Sequence, residues 1–293
     1  MSDAYLKKVF DDDPDYNLHY TFESHPRQST SPHLHYDTTL VLTYFLKGSG
    51  CFLVEGRQYL VGPGDLLLLN QSELHVMTVD DSEHERISLY IYDSIFDKWN
   101  CPKHHFFDAF NSRINGSNNV IPAETVARSG LGRQIQKILE YKSRRTPEGS
   151  VLAGCAVIEM LDMLNSVSVP SAGDSSVRSI SNKHINDIIH YLSENYAQKI
   201  EIDELAYRFH FNKHYLCRLF KECTGTSIVE YCTLKKILYF NRLVCQNLSL
   251  ENAAYKAGFQ NYSNFYRLYK KYTGISPSEY RQKIRGADDS TGI

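Results

Sequence analysis

The chain has 293 residues, of which 42% are hydrophobic and 23% are charged, and its mean hydropathy is −0.40. This length is about twice that of a typical domain of roughly 150 residues, so the sequence predicts two folded domains. The composition excludes a wholly disordered chain and a fibrous repeat, because it contains enough apolar side chains to form cores.

The amino-terminal residues and the cysteines indicate the cellular compartment of the protein. The first residues contain three consecutive aspartates where a secretion signal would be basic and then apolar, and no stretch approaches about 18 uninterrupted apolar residues. The seven cysteines include no C-x-x-C pair. We therefore expect a cytoplasmic protein that does not enter a membrane.

The charge is distributed unevenly along the chain. Residues 1–182 contain 16 basic and 23 acidic side chains, a net charge of −7, whereas residues 183–285 contain 16 basic and 9 acidic ones, a net charge of +7. A segregated positive domain is typical of proteins that bind a polyanion, although such a charge can also serve solubility alone.

In chain order, the first predicted elements are strands. Between Leu40 and Tyr92, short β-type runs alternate with turn residues, which predicts a small antiparallel sandwich or barrel. From Gly130 to Val169 the apolar residues follow a helical period and predict two helices. The serine-rich segment from Ser166 to Ser181 has the composition of a linker. The expected divisions are a β-rich domain at 1–129, a helical segment at 130–169, a linker at 170–181 and a helical domain at 182–285.

The last domain contains an internal duplication. The run Arg218-Leu219-Phe220-Lys221 recurs 49 residues later as Arg267-Leu268-Tyr269-Lys270, and Ala206-Tyr207-Arg208 recurs 48 residues later as Ala254-Tyr255-Lys256. Each copy predicts a short helix, a turn and a second helix that ends at Gly225 or Gly274. The second helices are expected to bury Leu216, Leu219 and Phe220 in the first copy, and Phe265, Leu268 and Tyr269 in the second.

These residues resemble the signature of the AraC/XylS family of bacterial transcription regulators over about Lys183 to Arg285. The motifs that carry the resemblance are Leu205-Ala206, Tyr215-Leu216-x-Arg218-Leu219-Phe220-Lys221, Thr224-Gly225, Ala254-Tyr255, Gly258-Phe259 and Phe265-x3-Tyr269 continuing to Arg281. The resemblance implies two helix-turn-helix units, joined by one long helix from Ser227 to Gln246, that enter successive major grooves. Two features depart from the family pattern. One is Ala253, and the other is the second turn, which is one residue longer than the first.

The resemblance also implies which side chains contact DNA. Arginine suits bidentate recognition of guanine, whereas lysine is better placed for phosphate. The alternative for the arginines is that they only form a solvated helix face. The alternative role for His210, His214 and Cys217 is a zinc site. The expected DNA-binding residues are His214, Cys217, Arg218, Lys221, Tyr262, Ser263, Tyr266, Arg267 and Lys270.

The first half of the chain is similar, more loosely, to the cupin-type sensor domains that accompany this DNA-binding domain. The similarity is carried by His33-x-His35-x3-Thr39, Gly62-Pro63-Gly64-Asp65 and His75. Thr39 stands where a metal-binding cupin has Glu, so we predict no metal and no other cofactor. The expected effector-binding residues are His33, His35, Thr39 and His75. The alternative for His33 and His35 is that they only line or rim the barrel pocket and form hydrogen bonds there.

Together these features predict a two-domain α+β protein: an N-terminal cupin-like antiparallel β-barrel followed by helices, and a C-terminal all-α domain with two helix-turn-helix units. The predicted function is a sequence-specific DNA-binding transcription regulator that responds to a small-molecule effector such as a sugar, and not an enzyme. The expected partners are double-stranded DNA, RNA polymerase and a second copy of the chain, bound through the helices of 130–169. The alternatives are a metal-dependent cupin enzyme with an appended helical domain and an architectural DNA binder without an effector.

Overall fold

The computed structural model divides the chain into two compact units, with the boundary between Ser181 and Asn182. The expected effector residues His33 and His35 and the linker at 170–181 lie outside the residues that the structure describes. Those described residues are 5–12, 16–23, 37, 39–79, 83–92, 95–96, 105–167 and 183–282.

The described residues of the first unit include nine strands. They are β1 (Tyr5–Asp12), β2 (Tyr16–Glu23), β3 (Leu40–Lys47), β4 (Gly50–Val54), β5 (Arg57–Val61), β6 (Leu66–Leu69), β7 (His75–Val79), β8 (His84–Ile91) and β9 (Val120–Ile121). They form two antiparallel sheets, one with the order β1-β2-β8-β3-β6-β9 and one with the order β5-β4-β7. The expected small antiparallel β domain is therefore confirmed.

Four of these strands were not predicted. The strands β1 and β2 precede the apolar run that begins at Leu40, and paired lysines and aspartates interrupt the pattern of β1. The strands β7 and β9 are short and follow loop segments. The pairing of β2 with β8 and with β1 extends the larger sheet by two strands.

An apolar cluster lies between the two sheets. Val41 and Phe45 of β3 belong to this inner cluster, whereas Leu40 and Leu42 belong to a second cluster on the outer face of the same sheet. Side chains alternate between the two faces of a strand, so Thr43 shares the inner face with Val41 and Phe45. The inner cluster contains Val41, Phe45, Phe52, Val54, Tyr59, Val61, Leu67, Leu69, Met77 and Val120.

Helices cover the outer face of the larger sheet. After a short turn at His105–Phe107, the chain forms α1 (Asp108–Asn111), α2 (Ala123–Ser129), α3 (Leu131–Ser143) and α4 (Pro147–Ser166). Ile135 and Ile138 of α3 and Met160 and Leu161 of α4 join the outer cluster. The two expected helices are confirmed. The outer face of the sheet is itself apolar and buries one face of each helix.

One face of α4 remains in contact with solvent. Val151 is 64% exposed, and Leu152 and Cys155 are also exposed. These three positions follow helical spacing, so they lie on one side of α4. They are the apolar surface that α4 keeps after packing on the sheet.

A buried ion pair fastens the loop before β9 to the turn after β6. Arg113 Nη2 lies 3.2 Å from Glu73 Oε2, and both side chains are almost inaccessible to solvent. Glu73 also accepts hydrogen bonds from the backbone N–H groups of Asn70 and Gly116 and from the side-chain amide of Asn119. The sequence pattern did not predict this pair, whose members are 40 residues apart.

The Gly62-Pro63-Gly64-Asp65 motif closes a turn and begins a helix. Asp65 accepts hydrogen bonds from the backbone N–H of Gly62 at 2.9 Å and from that of Ala123, the first residue of α2, at 2.8 Å. Gly64 has a φ of +89°, and a β-carbon there would lie 2.8 Å from the side chain of Ala123. The motif therefore fixes the position of α2 against the sheet. Burial of the Asp65 carboxyl group raises its pKa.

The second unit is helical in its described part. It contains α5 (Lys183–Asn195), α6 (Ile202–Arg208), α7 (Lys213–Thr224), α8 (Ile228–Cys245), α9 (Leu250–Lys256) and α10 (Tyr262–Thr273). The apolar stripe predicted for α5 is buried at Ile185, Ile188, Ile189 and Leu192. The two repeats have equal helix lengths, seven residues in α6 and α9 and twelve in α7 and α10.

Candidate nucleic-acid interface and effector site

The second helix of each repeat begins at an asparagine cap. Asn212 Oδ1 accepts a hydrogen bond from the backbone N–H of His214 at 2.9 Å, and Asn261 Oδ1 accepts one from Asn264 at the same distance. Asparagine is among the best residues at this position because its side chain satisfies an N–H that the first helical turn leaves unpaired. Both helices therefore start at a fixed point.

The turn inside each repeat has the same hydrogen bonds despite its different length. In the first repeat, the N–H of His210 donates to Tyr207 and that of Phe211 to Ala206. In the second, Gly258 and Phe259 donate in the same way to Tyr255 and Ala254. These bonds form a Schellman motif, which needs a left-handed residue after the helix. That residue is His210 in the first repeat, with a φ of 59°, and Gly258 in the second, with a φ of 87°.

The glycine of the second turn is required by a close backbone contact. A β-carbon at Gly258 would lie 2.1 Å from the carbonyl oxygen of Ala197, between α5 and α6. Only a residue without a side chain fits this approach, and only glycine adopts the left-handed conformation without strain. Gln260 supplies the extra residue that makes the second turn one residue longer, as the sequence predicted.

The second helices also end alike. Gly225 and Gly274 are left-handed caps. Thr224 Oγ1 donates to the carbonyl oxygen of Phe220 at 2.7 Å, and Thr273 Oγ1 donates to that of Tyr269 at 2.8 Å. Local sequence therefore defines both ends of α7 and of α10.

The buried face of each second helix agrees with prediction except at one position. Leu216 and Phe220 of α7 are fully buried, as are Phe265 and Tyr269 of α10. The leucines expected beside them, Leu219 and Leu268, are only half-buried. They lie at the edge of the buried stripe, where a helix turns from core to solvent.

The predicted DNA-binding residues lie on the opposite face. The two that are only half-buried are Cys217 and Tyr262. Tyr262 packs its ring 5.6 Å from that of Phe265, and burial raises the pKa of its hydroxyl. The exposed members are His214, Arg218, Lys221, Ser263, Tyr266, Arg267 and Lys270.

Charged side chains dominate this exposed face. Arg218 lies 3.7 Å from Glu222 and 5.6 Å from the ring of Tyr215, contacts that hold it along the helix surface. Arg267 and Lys270 form no ion pair with another residue in the described part of the chain. Their charge is thus available to an external anion.

The long helix α8 connects the repeats and holds the second one. It is capped by Ser227 and ends at Gln246, as predicted. Asn241 accepts a buried hydrogen bond from the hydroxyl of Tyr269 at 2.8 Å, and the ring of Phe240 lies 4.5 Å from that of Phe265. Both contacts position α10. The sequence pattern did not identify Asn241, whose single signal is a polar residue on the apolar stripe of α8.

Two of the expected effector residues lie in the described part of the first unit. Thr39 is buried, and its hydroxyl has no hydrogen-bond partner among the described residues. His75 is also buried, donates from Nδ1 to the carbonyl oxygen of Glu73, and places Nε2 3.3 Å from Asp37 Oδ2. The segment that contains Thr39 therefore approaches the first residue of β7.

Polar side chains of β8 were not predicted as part of this site. Ser88 Oγ lies 3.0 Å from Thr43 Oγ1, in a buried contact across β3 and β8. Arg86 and His84 lie on the same face of β8, with Arg86 Nη1 2.7 Å from His84 Nε2. The signal was the alternation of polar Arg86 and Ser88 with apolar Ile87 and Leu89.

Two family models match the chain, one in each unit. The helix-turn-helix domain model matches residues 205–283, and the AraC-like ligand binding domain model matches residues 16–101. The chain belongs to the AraC family of transcription regulators. The two matched domains indicate a transcription regulator that responds to a small-molecule effector.

Curated relatives of this AraC family member are named as transcription regulators. The uncharacterized HTH-type regulator YdiP of Escherichia coli is 21% identical over 279 residues, which are 91% of this chain and 86% of YdiP. The uncharacterized HTH-type regulator YtdP of Bacillus subtilis is 34% identical over 105 residues, 35% of this chain. The match spans only 14% of YtdP, so the chain covers a small part of that relative.

Solved structures of similar proteins include ToxT of Vibrio cholerae. An apo form of ToxT has a TM-score of 0.36 and 13% identity, with coverage of 97% of this chain and 98% of ToxT. The DNA-binding domain of AdpA, solved with a target DNA, has a TM-score of 0.33 and 20% identity over 35% of this chain and 93% of that domain.

In the described part of our chain, none of the helices has the length and apolar character needed to cross a membrane.

Proposed function

We propose that the regulator reads its operator through α7 and α10, one helix in each of two major grooves. The observation that carries this proposal is that the two repeats share helix lengths, caps, turn hydrogen bonds and an exposed basic face. The connecting helix α8 has 18 residues. It therefore extends roughly 27 Å, against about 34 Å for one turn of DNA.

In this arrangement the exposed residues have different roles. Arg218 and Arg267 each read guanine through the two parallel N–H groups of the guanidinium. Lys221 and Lys270 contact phosphates and fix the register without reading sequence. The remaining contacts to base edges come from His214, Cys217, Tyr262, Ser263 and Tyr266.

The experiment that tests this function is selection of bound DNA from a random library with the full chain, followed by hydroxyl-radical footprinting. Two protected segments about one helical turn apart, on one face of the duplex, support the proposal. Protection without sequence selection, or of a single segment, contradicts it and favours an architectural binder.

We also propose that the β domain, residues 1–129, holds the effector between its sheets. The buried hydroxyl of Thr39, without a hydrogen-bond partner among the described residues, and the buried His75 support this assignment. His33 and His35 complete the proposed contacts. Binding then alters DNA affinity through the linker at 170–181, which requires a coupling free energy of roughly 1–3 kcal/mol between effector and operator.

Two protein partners belong to the same proposal. A second copy of the chain binds through the 130–169 helices, where Val151 and Leu152 of α4 are exposed. RNA polymerase contacts the first helices of the repeats, where Tyr207 is 85% exposed and its counterpart Tyr255 is 61% exposed. Exposed aromatic side chains of this size are enriched at protein interfaces. Sedimentation of the Leu152→Glu variant, and transcription assays of Tyr207→Ala with its DNA affinity measured in parallel, test the two contacts separately.

A further inference from the structure

The helices α7 and α10 differ in charge although their lengths and caps agree. The sequence of α7 contains three basic side chains and one acidic side chain, Glu222, whereas that of α10 contains three basic side chains and none that is acidic. Glu222 corresponds to Lys271 in the second repeat, at the displacement of 49 residues. The first repeat therefore carries a carboxylate where the second carries an ammonium group.

This carboxylate lies beside Arg218, one of the two arginines that we propose read guanine. Glu222 Oε1 lies 3.7 Å from Arg218 Nε, and both side chains are exposed. On the preceding turn, the ring of Tyr215 lies 5.6 Å from the guanidinium carbon. Tyr215 and Glu222 are seven residues apart in the sequence and share one side of α7. The guanidinium is thus held between a ring and a carboxylate.

The contact with Glu222 leaves the reading end of the guanidinium available. The carboxylate approaches from the Nε side of Arg218, and the two terminal nitrogens form no hydrogen bond within the described part of the chain. Two parallel N–H groups match the O6 and N7 acceptors of guanine in the major groove. A side chain that is oriented before DNA binds loses less conformational entropy on binding. The contact therefore orients Arg218 before it meets DNA.

The equivalent arginine of the second repeat has different neighbours. Asn264 stands in place of Tyr215, and Lys271 stands in place of Glu222. Arg267 forms no ion pair with another residue in the described part of the chain. Its guanidinium therefore lacks the two contacts that orient Arg218, and the basic side chains of α10 can bind phosphate without competition from a carboxylate on the same helix.

The Glu222 carboxylate also acts on DNA directly. On the exposed face of α7 it repels the phosphate backbone, and this repulsion is the same for every sequence. A base that cannot accept from the guanidinium gives no compensating contact, so the carboxylate disfavours incorrect sequences more than the correct one. Specific interfaces use repulsive elements of this kind together with attractive ones.

We propose that Glu222 is a positioning residue that sharpens the preference of Arg218 for guanine. The first repeat then selects sequence more strictly, and the second supplies more of the contacts to phosphate. This inference rests on the DNA-reading function proposed above and adds to it a residue that sets specificity and a division of labour between the repeats.

The experiment measures base preference with the full chain. The operator is first selected from a random library, and the position read by Arg218 is the one whose preference is lost in Arg218→Ala. Fluorescence anisotropy then gives the affinity for duplexes with each of the four bases at that position. We expect Glu222→Gln to reduce the preference for guanine there by about two- to fivefold, the effect of one exposed charge pair, and to leave the position read by Arg267 unchanged.

Two comparisons separate positioning from a general effect of charge. In an Arg218→Ala background, Glu222→Gln should have no further effect on base preference, because the carboxylate then has no guanidinium to orient. Glu194→Gln is the matched control, since it removes a carboxylate from a similarly exposed pair with His190 on α5, and it should leave base preference unchanged. Thermal unfolding confirms that each variant is folded.

The internal repeat allows the arrangement to be transferred. The double variant Asn264→Tyr with Lys271→Glu gives Arg267 the two neighbours that Arg218 has. We expect it to sharpen base preference at the position read by Arg267 and to weaken binding to unrelated DNA. Lys271→Gln, which removes the same positive charge without adding a carboxylate, should weaken binding to unrelated DNA without sharpening the preference.

The inference is overturned if Glu222→Gln leaves the preference at the Arg218 position unchanged, if it lowers the preference equally at both positions, or if it has the same effect without Arg218. Failure of the double variant to sharpen the second position also overturns it. A chain that selects no sequence contradicts both this inference and the proposed function. A selected operator that depends on Arg218 but not on Glu222 contradicts this inference alone.

Discussion

Lys236 of α8 donates from Nζ to the carbonyl oxygen of Gly258 at 3.0 Å. The contact joins the helix between the repeats to the left-handed residue in the turn of the second repeat. The ammonium also lies 5.8 Å from the ring of Phe259, and burial lowers the pKa of Lys236. The turn that positions α10 is therefore held from α8 as well as by its own hydrogen bonds.

Replacement of Lys236 by methionine should loosen the second repeat. Methionine keeps the apolar stem but not the donor, so we expect a loss of about 1.5–3 kcal/mol in unfolding free energy, the range for a hydrogen bond that involves a charged group. Scanning calorimetry measures it. Lys271→Met, at an exposed position of α10, is the control, and an equal loss in both variants would show that the contact with Gly258 adds nothing.

The arginines and lysines of the recognition helices should differ in their effect on DNA binding. Arg218→Ala or Arg267→Ala should each weaken operator binding by about 1–3 kcal/mol and relax base preference at one position. Lys221→Ala should weaken binding to all sequences and reduce the salt slope by about 1. Fluorescence anisotropy at several salt concentrations distinguishes these effects, with Lys199→Ala as a control outside both helices. Unchanged operator affinity in both arginine variants would refute the assignment of the interface.

Replacing the left-handed residue of each turn should change the stability of the domain in opposite directions. Gly258→Ala should destabilise the domain by about 2 kcal/mol or more, because the left-handed conformation costs a non-glycine residue roughly 1–2 kcal/mol and the new β-carbon meets Ala197. His210→Gly should stabilise it by roughly 0.5–1 kcal/mol through relief of the same strain. Thermal unfolding of both variants checks the pair, and stabilisation by both substitutions would contradict the Schellman geometry.

Thiol reactivity should depend on burial. Burial raises the pKa of the Cys232 thiol to about 11, so at pH 8 roughly one molecule in a thousand carries the reactive thiolate. Cys155 and Cys245 are exposed. We expect iodoacetamide to modify those two in the folded protein and Cys232 only after unfolding, with reaction at Cys232 increasing as the pH rises toward 11. Mass spectrometry of timed samples measures the order, and early modification of Cys232 would show that α8 opens.

Replacing one partner of the buried Arg113–Glu73 ion pair should reduce stability more than replacing both partners. Arg113→Met leaves the Glu73 carboxylate buried without its guanidinium, so we expect a loss of about 3–5 kcal/mol in stability. The double variant Glu73→Gln with Arg113→Met should recover part of that loss, because no charge then remains buried. Chemical unfolding of the unmodified chain, Arg113→Met, Glu73→Gln and the double variant provides the comparison, and simple additivity of the two single losses would argue against direct coupling.

Local signals in the sequence predicted the second unit well. The glycines after α7 and α10 and the apolar stripes depend on neighbours within a few residues, so their spacing indicated each helix. The asparagine caps of α7 and α10 were not predicted, although they are equally local signals. Contacts between distant residues were not predictable in this way. Nothing near Glu73 indicates that Arg113 is its partner, and nothing near Lys236 indicates Gly258.

The effector site that we propose follows only in part from the sequence, for a related reason. The position of Thr39 and His75 came from a motif, whereas the inner polar face of β8 depends on which side of the strand the helices cover. The run from His84 to Ile91 alternates clearly, but alternation alone does not decide which set faces the helices. That assignment follows from the packing of Ile87 and Leu89 on the outer cluster.

Because one strand carries both sets of side chains, any movement of β8 displaces the side chains on both of its faces. A displacement of Arg86 and Ser88 along the strand axis also displaces Ile87 and Leu89, since these residues share one stretch of backbone. A close-packed interface does not deform continuously, so the helices α3 and α4 either resist this displacement or move to a second packed position. We therefore expect a change on the inner face of β8 to reach the apolar contact beneath α3 and α4.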